Sequence, residues 1–431
     1  MNNNNNLTKL SLKQKLAKGL ALFLPGIFLL GFNLGTGSVT AMAKAGAEYG
    51  MTLLWTIVAS CLCTFFMINL YGRYTLVTGE TALQAFKKHI HPAVGMYFII
   101  ALTFGVGGSV MGVMGIVAEI CYEWSKTMID GGIAPIYFAS TFSALVFFIF
   151  WNGKTHFFQR SLAVIVAIMS ASFLLNFFIL MPPPIDIIKG LIPSIPQISG
   201  SSGVGTAGAG PLLVIASMVG TTVFSGLFII RTTLVKEAGW TLKDEKTQRN
   251  DALVSVVLMF VISASIMAAA AGTLHAEGIG LSNASQMIVL LEPLAGSLAV
   301  TIFAIGIISA GVSSQFPNIL MLPWLLCDYF NQERDMTLNK YRVMVFLISL
   351  LGLIVPLFGA RPVLVMIISQ AFNAVILPIT VGCIFYLSNR KDLMGAYKNK
   401  PLSNIFLTFI LLFSLMTSFI AMKGVWQLIT A

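Results

Sequence analysis

The chain has 431 residues, of which 57% are hydrophobic and only 10% charged, and its mean hydropathy is +0.88. A water-soluble domain carries about 25% charged residues. The composition therefore excludes a soluble enzyme, a secreted disulfide scaffold and a disordered tail, and it points to a polytopic membrane protein. The formal net charge of +10 raises the question of a nucleic-acid partner, which the placement of the charges answers below.

The first residues form a polar Asn run, Met1 to Asn6, expected to be disordered. Lys9, Lys13, Lys15 and Lys18 follow, and then an apolar stretch. This looks like a signal peptide but lacks a cleavage-like ending, so it reads as a basic tail over 1–18 leading into the first membrane helix. Charge-free runs of about 20 residues, long enough to cross a hydrocarbon core, mark the spans. In chain order they are 20–43, 50–71, 93–119, 132–151, 161–181, 210–231, 252–273, 294–323, 341–359, 362–388 and 403–422. The expected fold is thus all-α, with eleven transmembrane helices in a single domain over 19–422 and a short tail over 423–431. The stretch from Gly190 to about Pro211 is uncharged but interrupted by Pro193, Pro196, Gly and Ser, and reads as a loop or re-entrant segment. The sixth helix is expected to start near Pro211.

With the N-terminus in the cytoplasm, 21 of the 26 Lys and Arg residues fall on the inner side. The outer side keeps Lys44, Lys126, Lys189, Arg361 and Lys423. The positive-inside rule predicts such a split. The positive charge is therefore topological, no nucleic acid is required, and anionic lipid at the inner leaflet is the expected partner. Arg231, at the inner end of span six, is expected to snorkel. The five cysteines, Cys61, Cys63, Cys121, Cys327 and Cys383, are odd in number and lie in or near apolar runs, as packing residues do. His89, His91, His156 and His275 are expected in loops, and the 16 acidic residues mostly in loops, with no carboxylate pair inside a span. Glu119, Glu123 and Asp130 read as boundary charges at the outer end of span three, or as an outer vestibule for cations.

Two spans are not expected to be plain rods. The first carries Gly31, Asn33, Gly35, Thr36, Gly37 and Ser38 in its middle; the sixth carries Gly220, Thr221, Thr222, Ser225 and Gly226. Gly costs about 1 kcal/mol relative to Ala in a helix interior. Such clusters unwind a helix where its backbone lines a cavity, or else serve close helix packing. Their offset by five spans matches five-plus-five inverted-repeat (LeuT-like) transporters, whose broken helices 1 and 6 form the substrate site. Here repeat one would cover about 20–181 and repeat two about 210–388, with 403–422 peripheral.

At these residues the chain resembles the NRAMP family of proton-coupled divalent metal transporters. Ala45-Gly46-Ala47-Glu48-Tyr49-Gly50 with Leu53-Leu54-Trp55 resembles the family's helix 1 to helix 2 junction. Leu76-Val77-Thr78-Gly79-Glu80-Thr81 resembles its L-A-T-G loop, and Gly190-Leu191-Ile192-Pro193 its approach to helix 6. Gly311-Val312-Ser313-Ser314 resembles the G-Q-S-S of helix 8, and Ser369-Gln370 with Leu377-Pro378 fits helix 10. The family's D-P-G-N, whose Asp and Asn bind the metal, falls at Gly35, Thr36, Gly37 and Ser38. Its M-P-H falls at Phe224, Ser225 and Gly226, its helix 6 His at Arg231, and its helix 10 Gln at Ile376. Residues 93–118, where the family places acidic proton-path groups, hold no charge.

The resemblance thus implies the scaffold and a transported metal cation, without the usual ligands. Transition metals favour carboxylate, imidazole or sulfur; the carbonyls and hydroxyls here suit hard, hydrated cations better. The expected substrate-binding residues are Asn33, Gly35, Thr36, Gly37, Ser38, Thr221, Thr222, Phe224, Ser225, Gly226, Ser314, Gln370 and Asn373. Ser313 and Asn318 lie on the same span as Ser314. Gly35-Thr36-Gly37 is also similar to the G-[S/T]-G of amino-acid transporters with this architecture, so a small organic solute is the alternative, as is a non-transporting sensor. No Walker A, H-E-x-x-H or G-x-S-x-G sequence occurs, no filter segment suggests a channel, and no cofactor is expected.

Overall fold

The computed structural model describes residues 35–126, 128–151, 183–196, 210–283, 286 and 292–430. The tail over 1–18, Asn33, His156 and the span expected at 161–181 lie outside the described residues, as does most of the loop before Pro211. The described part is built of helices, and seven of its helical stretches are long and apolar enough to cross a membrane. The main ones are α1 (Thr36–Tyr49), α2 (Leu54–Thr78), α3 (Pro92–Lys126) and α4 (Pro135–Trp151). They continue with α5 (Pro211–Thr222), α6 (Ser225–Glu237), α7 (Glu245–Ala270) and α8 (Glu292–Tyr329). The last three are α9 (Asn339–Leu350), α10 (Pro362–Asn389) and α11 (Pro401–Thr430).

Span six is two helices. Pro211 opens α5 at its first position, where the missing N–H costs nothing. α5 stops at Thr222; Val223 (φ −102°, ψ 59°) and Phe224 (φ −82°, ψ 120°) are non-helical, and α6 begins at Ser225. A break at mid-membrane frees backbone groups that lipid cannot satisfy. Neighbouring helices satisfy part of them here. Thr64 of α2 donates its hydroxyl to the Thr222 carbonyl at 2.7 Å, and Thr380 of α10 donates to the Ser225 hydroxyl at 2.7 Å. On the other side of the core, Gly35 is extended (φ −79°, ψ −175°), and α1 starts immediately after it without a side-chain cap.

α10 lies at the centre of the packing, against α5, α3 and α11; α3 also packs on α8, and α7 on α1 and α2. α5 and α10 approach so closely that a Cβ on Gly220 would lie 1.9 Å from the Gln370 carbonyl oxygen. The small residue there is a packing requirement. All five cysteines are free and buried.

Several expectations are corrected. Arg231 does not snorkel: it is fully buried and paired with the fully buried Asp251 of α7 at 2.5 Å. Asp251 and Glu48 therefore sit inside helices, as does the buried Asp328 near the end of α8. Lys44, assigned to the outer charges, is 1% exposed and held by Glu48 at 2.5 Å and the Leu281 carbonyl at 2.8 Å. His89 and His275 belong to π-helical turns, Phe86–Ile90 and Ala271–His275, rather than loops. The common reason is that a charge pattern locates the membrane boundary but cannot reveal which charges find a partner across helices.

Candidate functional site

The extended residue before α1 and the break between α5 and α6 face one another across a small cavity of about 30 Å³. Gly35, Gly37 and Ser38 contribute from α1 and its cap, and Thr221 and Phe224 from the break. Ser314 and Asn318 come from α8, and Gln370 and Asn373 from α10. Ser109 of α3, between Val106 and Val113, completes the wall. Of the remaining candidates, Thr36 stands just behind, its hydroxyl 3.5 Å from that of Ser314. Thr222 and Ser225 spend their hydroxyls elsewhere, on the Met218 carbonyl (2.9 Å) and on Thr380. Gly226 lies under the Phe224 ring, which a Cβ there would meet at 2.6 Å.

A chain of hydrogen bonds orders the polar wall. Asn373 donates to the Gln370 amide oxygen at 3.3 Å, Gln370 donates to the Ser109 hydroxyl at 3.1 Å, and Ser109 lies 2.9 Å from the Ser369 hydroxyl. Ser369 in turn donates to the Gly105 carbonyl at 2.8 Å. Asn373 is 2% exposed, and its amide oxygen has no donor. That oxygen packs against Gly105 of α3, where a Cβ would lie 2.6 Å from it. The Met366 thioether accepts from Gln370 at 3.4 Å behind this wall. Sequence reasoning missed Ser109. The signal was the Gly105-Val106-Gly107-Gly108-Ser109 run in α3, where small residues let α10 approach.

The polar part of the lining is neutral, hydroxyl and amide, beside the apolar Val106, Val113 and Phe224. Among the described residues no group of three or more His, Cys, Asp or Glu side chains is placed to hold a metal ion. Two helix N-termini, those of α1 and α6, also adjoin the cavity, and their dipoles favour negative charge.

Both ends of the cavity-forming helices are tied down. At one end Lys44 and Glu48 join α1 to the segment before α8, and His275 lies 3.1 Å from the Ala47 carbonyl. At the other, Asp328 of α8 accepts from Thr81 at 2.7 Å and from Gln84 at 3.4 Å, and Lys236 of α6 donates to Gln84 at 3.0 Å. Beside them Glu80 accepts from Lys88 at 2.6 Å and pairs with His89 at 2.7 Å. Arg390, after α10, donates to the His89 carbonyl at 3.1 Å.

Partial burial pulls the Glu80 carboxyl upward, but the bonds from Lys88 and His89 outweigh it and hold the group below its ordinary value. A depressed carboxylate contributes stability above its unfolded pKa, and that stability is lost as pH falls through the folded one. Melting temperature should therefore drop between about pH 5 and about pH 3 more steeply in the natural protein than in Glu80→Gln. Equal slopes would remove Glu80 from the tie.

A helical membrane protein with a broken helix around a small polar cavity at mid-span defines the transporter class built on discontinuous helices. The chain belongs to the natural resistance-associated macrophage protein-like (Nramp) family, whose model matches residues 27–423. A divalent metal cation transporter, MntH, of Chromohalobacter salexigens is 21% identical over 390 residues, covering 88% of this chain and 86% of that one. The MntH of Clostridium acetobutylicum is 22% identical over 423 residues, covering 94% and 93%. In structure the chain is similar to a mutant of the Eremococcus coleocola manganese transporter, with TM-score 0.74, 16% identity, and 95% and 87% of the two chains covered. It is also similar to MhsT in complex with L-phenylalanine, with TM-score 0.62, 13% identity, and 93% and 98% covered. Those two structures share the fold with this chain.

Proposed function

We propose that this protein is a secondary transporter, not an enzyme, that carries a divalent metal cation across the membrane by alternating access. The family membership and the MntH relatives support a divalent cation as substrate. The observation that carries the finer reading is the cavity itself: about 30 Å³, walled by hydroxyl and amide oxygens. One water-sized probe occupies roughly 10–15 Å³ on such a measure. In this conformation the space takes a cation with a water or two and is smaller than a whole amino acid. With no carboxylate or imidazole among the described residues of the wall, the cation keeps part of its hydration and is held through neutral oxygens. That suits a hard ion such as Mg²⁺ or Ca²⁺ over Mn²⁺.

The organic-solute reading rests on the two helix N-termini, which would hold a carboxylate; the cavity size argues against it. The proposed architecture is one domain over 19–422 with eleven spans, the first five mirrored by the next five. The N-terminus would be cytoplasmic in a plasma membrane, as the distribution of Lys and Arg indicates. The uncharged middle of α3 gives protons no titratable relay there, so flux should not acidify the lumen.

Liposome flux of Mg²⁺, Ca²⁺ and Mn²⁺ with a pH dye inside tests these points. Mg²⁺ or Ca²⁺ uptake exceeding Mn²⁺, with no dye response, is expected. Preferred Mn²⁺ uptake would overturn the hard-cation reading, a dye response would overturn uncoupled transport, and no metal flux would return the organic solute.

A further inference from the structure

A second cavity, of about 590 Å³, lies away from the central site, between α2, the start of α7 and the segment entering α11. Its polar end carries Arg73, Lys246 and Arg249 against the single carboxylate of Glu245. Arg73 Nε stands 3.8 Å from Glu245, beyond hydrogen-bond reach, and has no hydrogen-bond partner. Asn69 and Asn399 also line the cavity, with their amide oxygens buried and unmatched behind its surface. Asn399 is only 7% exposed, and its NH₂ is spent on Ser388 at 2.8 Å and on Asn404 at 3.3 Å. Three cations against one carboxylate leave the cavity with an excess of positive charge, which an anion would neutralise.

The other end of the cavity is apolar. Phe65, Phe66 and Leu70 line it. Phe66 lies 5.9 Å from the ring of Phe406 on α11, which is 52% exposed on an apolar outer face with Leu402 and Ile405. From Arg73 to Phe66 is seven residues of helix, about 10 Å. That is the offset between a phospholipid phosphate and the upper part of its acyl chains.

We propose that this cavity binds an anionic glycerophospholipid. Arg73, Lys246 and Arg249 hold the phosphate, and an acyl chain runs over Phe66. The assignment does not depend on what the central cavity carries.

The test uses the full chain purified in detergent, titrated with phosphatidylglycerol, phosphatidylcholine and free glycerol phosphate, and read by melting temperature and native mass spectrometry. Phosphatidylglycerol should raise the melting temperature and remain bound; phosphatidylcholine should do neither. The double variant Lys246→Gln/Arg249→Gln should bind phosphatidylglycerol about tenfold more weakly or worse, since each cation near a lipid surface contributes on the order of 1 kcal/mol. Lys391→Gln, an exposed cation outside the cavity, should bind as the natural protein does. An unchanged melting temperature of the double variant in phosphatidylcholine verifies its fold; if it does not fold, Lys246→Gln alone carries the comparison. Equal binding of phosphatidylcholine, equal stabilisation by glycerol phosphate, or undiminished binding by the cavity variants would each overturn the lipid assignment.

Discussion

Asp251→Ala is expected to be the most destabilising single substitution outside the central cavity, at about 3–5 kcal/mol. Removing the carboxylate strands the Arg231 guanidinium, which is fully buried beneath the Trp240 ring, 5.4 Å from its centroid. Arg231 would retain only the Gln248 carbonyl at 3.1 Å, and its Nε already has no partner. The cost comes from an uncompensated charge in a dry site, not from the worth of the bridge. Replacing both partners by apolar residues, Arg231→Met with Asp251→Leu, should therefore recover most of the loss. Thermal unfolding of the natural protein and the two variants in one detergent measures it. A double variant as unstable as Asp251→Ala would show that the pair contributes more than mutual neutralisation. Arg231 belongs to α6 and Asp251 to α7, so the pair fixes how the second half of the broken span sits against its neighbour.

Gly37→Ala is expected to abolish most transport while leaving the protein folded. The new methyl would lie 2.4 Å from the Gln370 amide nitrogen and 3.3 Å from the Met366 sulfur, both flexible side-chain atoms. Gln370 can swing away, but it then leaves Ser109 and Asn373, each within 3.3 Å. Two hydrogen bonds at about 1 kcal/mol each correspond to a flux loss of roughly tenfold or more. Gly220→Ala makes the informative contrast. Its methyl would lie 1.9 Å from the Gln370 carbonyl and 3.0 Å from the Ala374 nitrogen, both rigid backbone of α10. That variant should lose stability along with flux, because α5 and α10 must separate. Flux assays paired with melting curves distinguish the two. If Gly37→Ala transports normally, the first turn of α1 does not contribute to the substrate path.

The membrane class, the positions of most helices and the break in span six were legible in the sequence. Each has a local cause. Span length follows from hydrocarbon thickness, the start of α5 from Pro211, and the break from Gly220, Thr221, Thr222, Ser225 and Gly226 at mid-membrane. The clusters around Gly35 and Thr221 were also legible as partners, because each gathers Gly and hydroxyl residues within an apolar run, and the structure brings them to one cavity. The tertiary structure decided which polar groups face the cavity and which serve other helices. Thr222 and Ser225 resemble Thr221 in sequence, yet the first bonds its own helix and the second meets Thr380. Ser109 joined the wall because α3 packs on α10, a contact that no local pattern announces. The same holds for charge. Sequence places Arg231 and Lys44 at the ends of spans, where water is near; only packing brings Asp251 and Glu48 to them. Hydrophobic length and backbone propensity act within one segment, whereas pairing and desolvation are settled between segments far apart in the chain.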